Sequence, residues 1–394
     1  MNRPAIVVIA YDRPDALARL LASIEAAVYP ADAAPVLVIS IDKSDSEDVL
    51  KVADEFRYTH GDKVIMARSE RMGLREHVLS CGDLTDRYEN IIVLEDDLYV
   101  APCFYEYAQK ALDHTQNDDR IGGVSLYDHL FNVHTRESFC AIDDGYDNYY
   151  LQLASSWGQA FTKKQWQGFR TWYEVNKDKD ISGPFIPANI SGWSDRSWLK
   201  YYIAYLIEND MFFLYPRVSM TTNFGDAGTH ACKFDTNLQV PVQTSAKRAR
   251  CDFSTLDESL AVYDPFFESL RICAGEFSSG DLITDLYGYK PVEKMLKACE
   301  DDEKRARRPK YVISSQPLPY KVVKSYARQM RPVDANVKFD IKGNDLFLYD
   351  TTEDAPMPQK GDDTARLFYE YRGISAERMM KMIKYRIKEK LGRD

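Results

Sequence analysis

Ala5-Ile6-Val7-Val8-Ile9-Ala10 is an unbroken apolar run and predicts a strand buried on both faces. The turn Tyr11-Asp12-Arg13-Pro14 closes it, with the proline placed to open a helix. Leu17, Leu20, Leu21 and Ile24 then recur at helical spacing. Val36 to Ile41 predicts a second strand, closed by Asp42-Lys43-Ser44, and Val49, Leu50, Ala53 and Phe56 mark the apolar side of the next helix. Lys63 to Ala67 is a shorter strand, after which Gly73-Leu74 leads a helix through His77, Val78 and Leu84. Ile91-Ile92-Val93-Leu94 is the fourth strand, and Pro102 opens a helical pattern through Tyr105, Ala108 and Leu112. Strands alternating with helices predict a mainly parallel, Rossmann-like α/β sheet covered by helices. We expect one α/β unit over residues 1–240 and an α+β extension over 241–394.

The extension is harder to read. Residues 236–260 are polar and predict a mobile stretch. Asp285 to Lys290 predicts a short strand and turn, and Glu300 to Lys310 a solvated charged run. Val337 to Tyr349 predicts a hairpin turning at Lys342-Gly343-Asn344-Asp345. From Glu377 to Leu391 a helix carries Met379, Met380, Ile383, Ile387 and Leu391 on one face and Lys381, Lys384, Arg386, Lys388 and Lys390 on the other. A basic amphipathic helix suits an anionic lipid surface. Docking on its own domain or on a second subunit is the alternative, and the sequence favours it slightly.

Composition narrows the class. Over 394 residues the net charge is −10, which argues against general nucleic-acid binding. The seven cysteines form no Cys-x-x-Cys pair and fit a reducing compartment. No apolar run approaches a membrane span, and a first strand near Pro4 leaves no room for a signal peptide, so the expected location is cytoplasmic, at most at the inner face of a membrane.

The candidate chemistry lies after the fourth strand, where Glu95-Asp96-Asp97 follows at once. Ligands of open α/β sheets bind at the carboxyl ends of strands. Adjacent carboxylates repel one another, and a divalent cation relieves that repulsion; hard oxygen ligands suit Mg²⁺ or Mn²⁺. The plain alternative is a solvated strand end whose acids favour the next helix's N-terminus. No Gly-x-Gly-x-x-Gly follows the first strand, and no phosphate-binding Gly-x-x-x-x-Gly-Lys-Ser/Thr loop occurs.

The turn Ala10-Tyr11-Asp12-Arg13-Pro14, the Asp closing the second strand, and Glu95-Asp96-Asp97-Leu98-Tyr99-Val100-Ala101-Pro102 together resemble the GT-A glycosyltransferases. Within them the chain is most similar to the family of the animal Golgi N-acetylglucosaminyltransferase that starts complex N-glycans, with its bacterial relatives. Ser156-Trp157-Gly158-Gln159-Ala160 resembles that family's Gly-Trp segment, and Gly192-Trp193-Ser194-Asp195-Arg196-Ser197-Trp198 its Trp-Asp-Asp-Trp segment. Tyr215-Pro216-Arg217-Val218-Ser219 through Gly228-Thr229-His230 resembles its Arg-Pro-x-x-Ser and Gly-x-x-x-x-His stretch. The likeness covers about residues 4–235. Ser194 stands where the family has its first acid, and no Golgi anchor is expected.

The resemblance implies a metal-dependent, inverting enzyme using a UDP-sugar and a saccharide acceptor, lipid-linked or soluble, in glycan or surface-polysaccharide assembly. It implies that Asp97 contacts Mn²⁺ or Mg²⁺, that Asp96 faces the ribose or the metal's waters, and that Glu95 faces the donor sugar. Asp195, between two tryptophans, is the expected general base, an apolar setting favouring its proton affinity; capping of the helix near Arg196 is the alternative. Asp42 is expected to accept from the nucleobase imide, and Tyr11 beside Ala10 to stack on the base. Arg13 is expected to reach a phosphate or the ribose. Arg68 and Arg75 are expected near the base and diphosphate, unless they are surface ion pairs. His230 sits in a Gly-flanked loop and is expected at the metal or diphosphate. Trp157 and Trp193 are expected on the acceptor side, whereas Trp198 packs its helix. A sugar nucleotidyltransferase and a non-catalytic sugar-nucleotide-binding module are the rival classes; the first calls for a Gly-rich first loop that this chain lacks.

Overall fold

The computed structural model of the chain describes residues 3–226, 238–245, 249–273, 276–277, 280–301, 308–362, 364, 368 and 373–391. The four predicted strands form as β1 (Ala5–Ala10), β2 (Leu37–Ile41), β3 (Lys63–Ala67) and β4 (Asn90–Glu95), each adjoining pair parallel. Between them run α1 (Pro14–Glu25), α2 (Asp48–Glu55), α3 (Leu74–Gly82) and the short α4 (Thr85–Tyr88). Next come β5 (Leu98–Val100), α5 (Phe104–Thr115), β6 (Ile121–Ser125), β7 (Asn148–Leu151) and β8 (Gln159–Thr162). Then follow α6 (Lys163–Asn176), α7 (Ala188–Ser191), α8 (Trp198–Glu208), β9 (Phe212–Pro216), β10 (Thr221–Asn223) and β11 (Val262–Tyr263).

The main sheet has nine strands in the order β11-β7-β9-β6-β8-β4-β1-β2-β3. β1, β2, β3, β4, β6 and β9 run one way, and β7, β8 and β11 the other. Carboxyl ends of six strands therefore meet on one edge. Alternate residues of each strand serve opposite faces. Ile6, Val8, Ile92 and Leu94 join Leu17, Leu20, Leu21 and Ile24 of α1 and Leu112 of α5 in one core. Val7, Ile9, Ile91 and Val93 join Val78, Trp166, Phe169 and Tyr202 of α3, α6 and α8 in the other.

Packing does not break at residue 240, where the sequence suggested a boundary. β11 pairs with β7 in the main sheet. The polar stretch before it is tethered: Ser254 is buried, and its backbone N–H donates to Asn148 Oδ1 at 2.8 Å, while Ala249 and Leu256 enter the core. The segment after it forms β12 (Leu282–Asp285), α9 (Val292–Asp301), β13 (Tyr311–Ser314), β14 (Tyr320–Tyr326), α10 (Asp334–Lys338) and β15 (Leu346–Asp354). Their sheet has the order β12-β13-β15-β14. Leu286, Ile313, Leu346 and Leu348 share a core with Phe139, Tyr149 and Tyr263.

The hairpin expected over 337–349 does not form. Residues 334–338 are helical, and β15 pairs with β13 and β14 instead. Buried Asn336 explains this. Its Oδ1 accepts from the Gln329 and Met330 backbone N–H groups, and its Nδ2 donates to the Met330 and Val333 carbonyls. That closes a turn which leaves no extended arm before Leu346. The last element is α11 (Ala376–Lys390). Among the described residues no helix is long and apolar enough to cross a membrane.

The close packing of α3 on α6 yields a test. A Cβ at Gly82 would lie 1.9 Å from Trp166 Cζ2. That indole is buried and donates from Nε1 to Asp83 Oδ1 at 2.8 Å. Gly82→Ala should cost about 1–3 kcal/mol, as overpacking does. Urea unfolding measures it, and an unchanged midpoint would show that the ring can yield.

Candidate active site at the carboxyl edge of the sheet

β1 delivers Ala10 to the carboxyl edge, and the chain turns through Tyr11 to Arg13 before Pro14 starts α1. β4, the immediate neighbour of β1, delivers Glu95, Asp96 and Asp97 to the same place. Arg13 closes the gap between the two turns. Its Nη1 donates to Asp97 Oδ2 at 3.0 Å, and its Nη2 donates to Asp96 Oδ1. The Tyr11 backbone N–H also bonds the Asp96 carboxylate. Arg13 was expected to reach a phosphate or the ribose; it lies on the acids, because desolvated neighbouring carboxylates need a countercharge.

These acids are not a solvated strand end. Asp96 is buried, and burial pushes its carboxyl up to about 6, with the Asp97 charge adding to the effect and Arg13 and the Tyr11 N–H opposing it. Glu95 is pushed well above the usual carboxylate range by burial and by the charges of Asp97 and Asp96, against Arg13 and a hydrogen bond with Ser156. Burial works against the charge on Arg13, but the two acids beside it outweigh that and hold it charged. Asp97 Oδ1 is buried and has no hydrogen-bond partner.

That orphaned oxygen tests the fit of a cation. Among the described residues no three His, Cys, Asp or Glu side chains close around one point, so no all-protein cage exists there. Mg²⁺ and Mn²⁺ do not need one; Mg²⁺ typically takes one or two carboxylates, waters and substrate phosphates. Asp97, with Asp96 behind it, fits such a hard cation.

Asp42, at the end of β2, is buried and already engaged. Its Oδ1 accepts from the Lys43 and Met72 backbone N–H groups at 2.9 and 2.8 Å, and its Oδ2 from Gly73 at 2.9 Å. A carboxylate has about four acceptor positions, so one on Oδ2 remains for a nucleobase. Its evident work is to fasten the loop before α3 to β2.

Arg68 and Arg71 lie on that loop, and Arg75 in the first turn of α3. Arg71, which the sequence reading passed over, lies over the Tyr11 ring with its guanidinium carbon 4.8 Å from the centroid. One face of the ring expected to stack on the base is thus covered. Arg68 donates from Nη2 to Ser80 Oγ at 3.0 Å, and its Nε is buried without a partner. Arg75 pairs with Glu76 and also donates from Nη1 to the Asp195 carbonyl at 2.7 Å. It therefore pins the loop between α7 and α8 to the donor side of the cleft.

Asp195 itself points outward. Its side chain is 86% exposed, with Lys200 Nζ 3.7 Å away. The apolar setting expected between two tryptophans is absent, because Trp198 turns into the core while Trp193 stays half-buried. Capping does not explain Asp195 either: Ser197 caps α8, accepting from the Lys200 backbone N–H at 3.3 Å. Lys200 Nζ donates to the Trp193 carbonyl at 3.1 Å, which fixes that loop from below.

Trp157 rests against Tyr127, ring centroids 4.7 Å apart, and its carbonyl accepts from Thr221 Oγ1 at 2.5 Å. The next residue must be glycine: φ is +97° at Gly158, and a Cβ there would sit 2.7 Å from the Thr221 methyl carbon. β10, which carries Thr221, pairs with β5 directly after the acids. Beyond it Phe224 lies under Arg19 of α1, 3.9 Å from guanidinium carbon to ring centroid, and Arg19 pairs with Asp226. His230 lies outside the described residues.

One acid at this edge was missed. Asp128 follows β6 and accepts from Tyr149 Oη at 3.1 Å. Burial pushes its carboxyl up to about 8, against bonds from Tyr149 and the His129 N–H and the charge of Arg217. The signal was available: like Asp42 and Asp96, it is an acid just past a strand.

No family model matches this chain, and no curated protein sequence matches it. Solved structures do. The mannosyltransferase PcManGT from Pyrobaculum calidifontis, in complex with GDP-Man and Mn²⁺, is 16% identical with a TM-score of 0.29, over 42% of this chain and 46% of that one. S. aureus TarS 1–349 in complex with UDP-GlcNAc is 14% identical with a TM-score of 0.37, over 58% and 60%. GalNAc-T7 with UDP, GalNAc and Mn²⁺ is 13% identical with a TM-score of 0.38, over 55% and 43%. This chain spans about half the length of the structures it matches. At these scores the likeness carries no argument about what this chain does.

Asp128 gives a pH test with a definite sign. Its folded pKa lies above its ordinary value, so the folded state holds the proton more tightly. The associated stability is full below about pH 4 and lost as pH rises through about 8. Asp128→Asn should match the wild type near pH 4 and be the more stable near pH 9, read as urea midpoints at both pH values. A constant difference at both would remove Asp128 from the pH dependence.

Proposed function

We propose that this chain is a divalent-metal-dependent glycosyltransferase of the GT-A type. It moves a hexosyl or N-acetylhexosaminyl group from a UDP-sugar to a saccharide acceptor, with inversion at the anomeric carbon. The observation that carries this reading is Asp97: a buried carboxylate oxygen without a partner, at the carboxyl end of a central strand, beside two acids whose ionisation is opposed. Such an atom is costly in a structure made for stability alone. Mn²⁺ or Mg²⁺ held by Asp97, with Asp96 behind it, supplies Lewis-acid relief of charge on the departing diphosphate.

The other roles belong to the chain. Ala10 and Tyr11 border the nucleoside, and Asp42 offers its one remaining acceptor position to the base. Arg68 and Arg75 supply the positive edge for the diphosphate, while Arg13 stays on the acids; Arg68 brings an unpartnered Nε. Glu95, fixed by Ser156, faces the donor sugar. Trp157 and Trp193 present rings to the acceptor. Asp195 is the base in this reading, since solvent reaches it on the loop that Arg75 holds, whereas Asp128 accepts from Tyr149 and burial pushes its carboxyl up. His230 keeps the role at the metal or diphosphate that the sequence suggested. The resemblance to the N-acetylglucosaminyltransferase family makes a UDP-N-acetylhexosamine the first donor to try. Cytoplasmic glycan or surface-polysaccharide assembly is the setting we infer, with no nucleic-acid partner.

Arg13 favours a second reading. It already neutralises Asp96 and Asp97. A chain that keeps it there binds sugar nucleotide without metal and without turnover.

Thermal unfolding with UDP and UDP-sugars, with and without Mn²⁺, separates the two. A ligand at 100 times its Kd adds about 2.7 kcal/mol, a shift of several degrees. The transferase reading expects a Mn²⁺-dependent shift that Asp97→Ala loses. An equal shift without metal supports the second reading, and no shift with any nucleotide, in folded protein, removes both. In a transfer assay Asp195→Ala should keep the donor shift and lose about 10²–10⁴-fold in kcat. Wild-type turnover in Asp195→Ala would strike that residue from the mechanism.

A further inference from the structure

The site and the two cores absorb most of the motifs in the sequence, but not the last helix. Five apolar residues fall on one stripe, Met379, Met380, Ile383 and Ile387 of α11 and Leu391 just past its end, while Met382 and Tyr385 lie off it. A helix docked on its own domain buries such a stripe. Here these five side chains are 44% to 62% exposed. Beyond the end of β15, residues 355–362 carry Pro356, Pro358 and Gly361 and have no regular structure.

Charge is segregated in the same place. The chain carries −10 in all, yet residues 376–391 hold six basic residues against two acids. At the helical repeat Lys384 and Lys388 border one side of the stripe and Arg386 the other, while Lys381 pairs one turn back with Glu377 at 2.7 Å. Long basic side chains beside an apolar stripe can lay their stems along it and lift their charges to a headgroup.

We propose that α11 is an interfacial anchor that lies on an anionic lipid surface, with its stripe in the acyl boundary and its flanking cations on headgroup phosphates. Charge decides the occupant. A second copy placed stripe to stripe brings Lys384, Lys388 and Arg386 against like charges. A seam of about four turns is also short for a stable helix pair. An anionic bilayer meets both the stripe and the cations. The proposal does not depend on the sugar-transfer reading.

Sedimentation of the full chain with vesicles tests it, using phosphatidylcholine alone and phosphatidylcholine mixed with phosphatidylglycerol. The chain should pellet with the mixed vesicles, little with the neutral ones, and less as salt rises. Ile383→Glu with Ile387→Glu should abolish pelleting without changing the unfolding of the body. Each of Lys384→Ala and Lys388→Ala should weaken partition by about fivefold. Three results overturn the proposal: wild-type protein left in the supernatant, equal pelleting of the Ile383→Glu/Ile387→Glu variant, or equal binding to neutral vesicles. A dimer in sedimentation equilibrium that the same double variant dissolves, without vesicle binding, assigns the stripe to a second copy instead.

Discussion

Three consecutive carboxylates at a buried strand end are an electrostatic debt, and Arg13 covers part of it. Its guanidinium reaches from the turn after β1 to Asp96 and Asp97 after β4, so two neighbouring strands are locked at their carboxyl ends by one planar fork. The remainder is uncovered: Asp97 Oδ1 has no partner, and Glu95 and Asp96 hold protons more readily than ordinary acids do. Because β1 and β4 are neighbours inside the main sheet, with strands on either side, the turns around them are placed relative to this one imbalance.

A second set of contacts makes the surroundings stiff. Asp42 gathers three backbone N–H groups and so fixes where the loop with Arg68 and Arg71 ends and α3, with Arg75, begins. Arg75 passes that position on to the loop of Asp195, and Lys200 fixes the same loop through the Trp193 carbonyl. Residues far apart in sequence are thus held by hydrogen bonds to backbone atoms, which side-chain type alone does not reveal.

This explains what could and could not be read from the sequence. β1 to β4 were legible because strands buried on both faces write unbroken apolar runs, and Ile6 and Val7 do serve opposite cores. The acid cluster was legible because it follows such a run directly. The engagement of Asp42 was not, since its partners are main-chain groups thirty residues away. The setting of Asp195 was misread because flanking tryptophans say nothing of which way each ring turns. The hairpin expected near Val337 failed for a similar reason: one asparagine side chain bonding four backbone groups outweighed a strand-like pattern. Asp128 was overlooked because it stands alone after its strand rather than in a cluster.

At Gly158 the backbone lies against Thr221, with less clearance than a methyl group needs. The Thr221 hydroxyl is bonded to the Trp157 carbonyl as well, so this flank cannot recede. The contact there is a stop. Position 158 cannot take a larger residue without moving Thr221, and the Trp157 carbonyl cannot move without losing its bond from the Thr221 hydroxyl. Where Trp157 stands is therefore a property of the scaffold, independent of the acids at the strand ends.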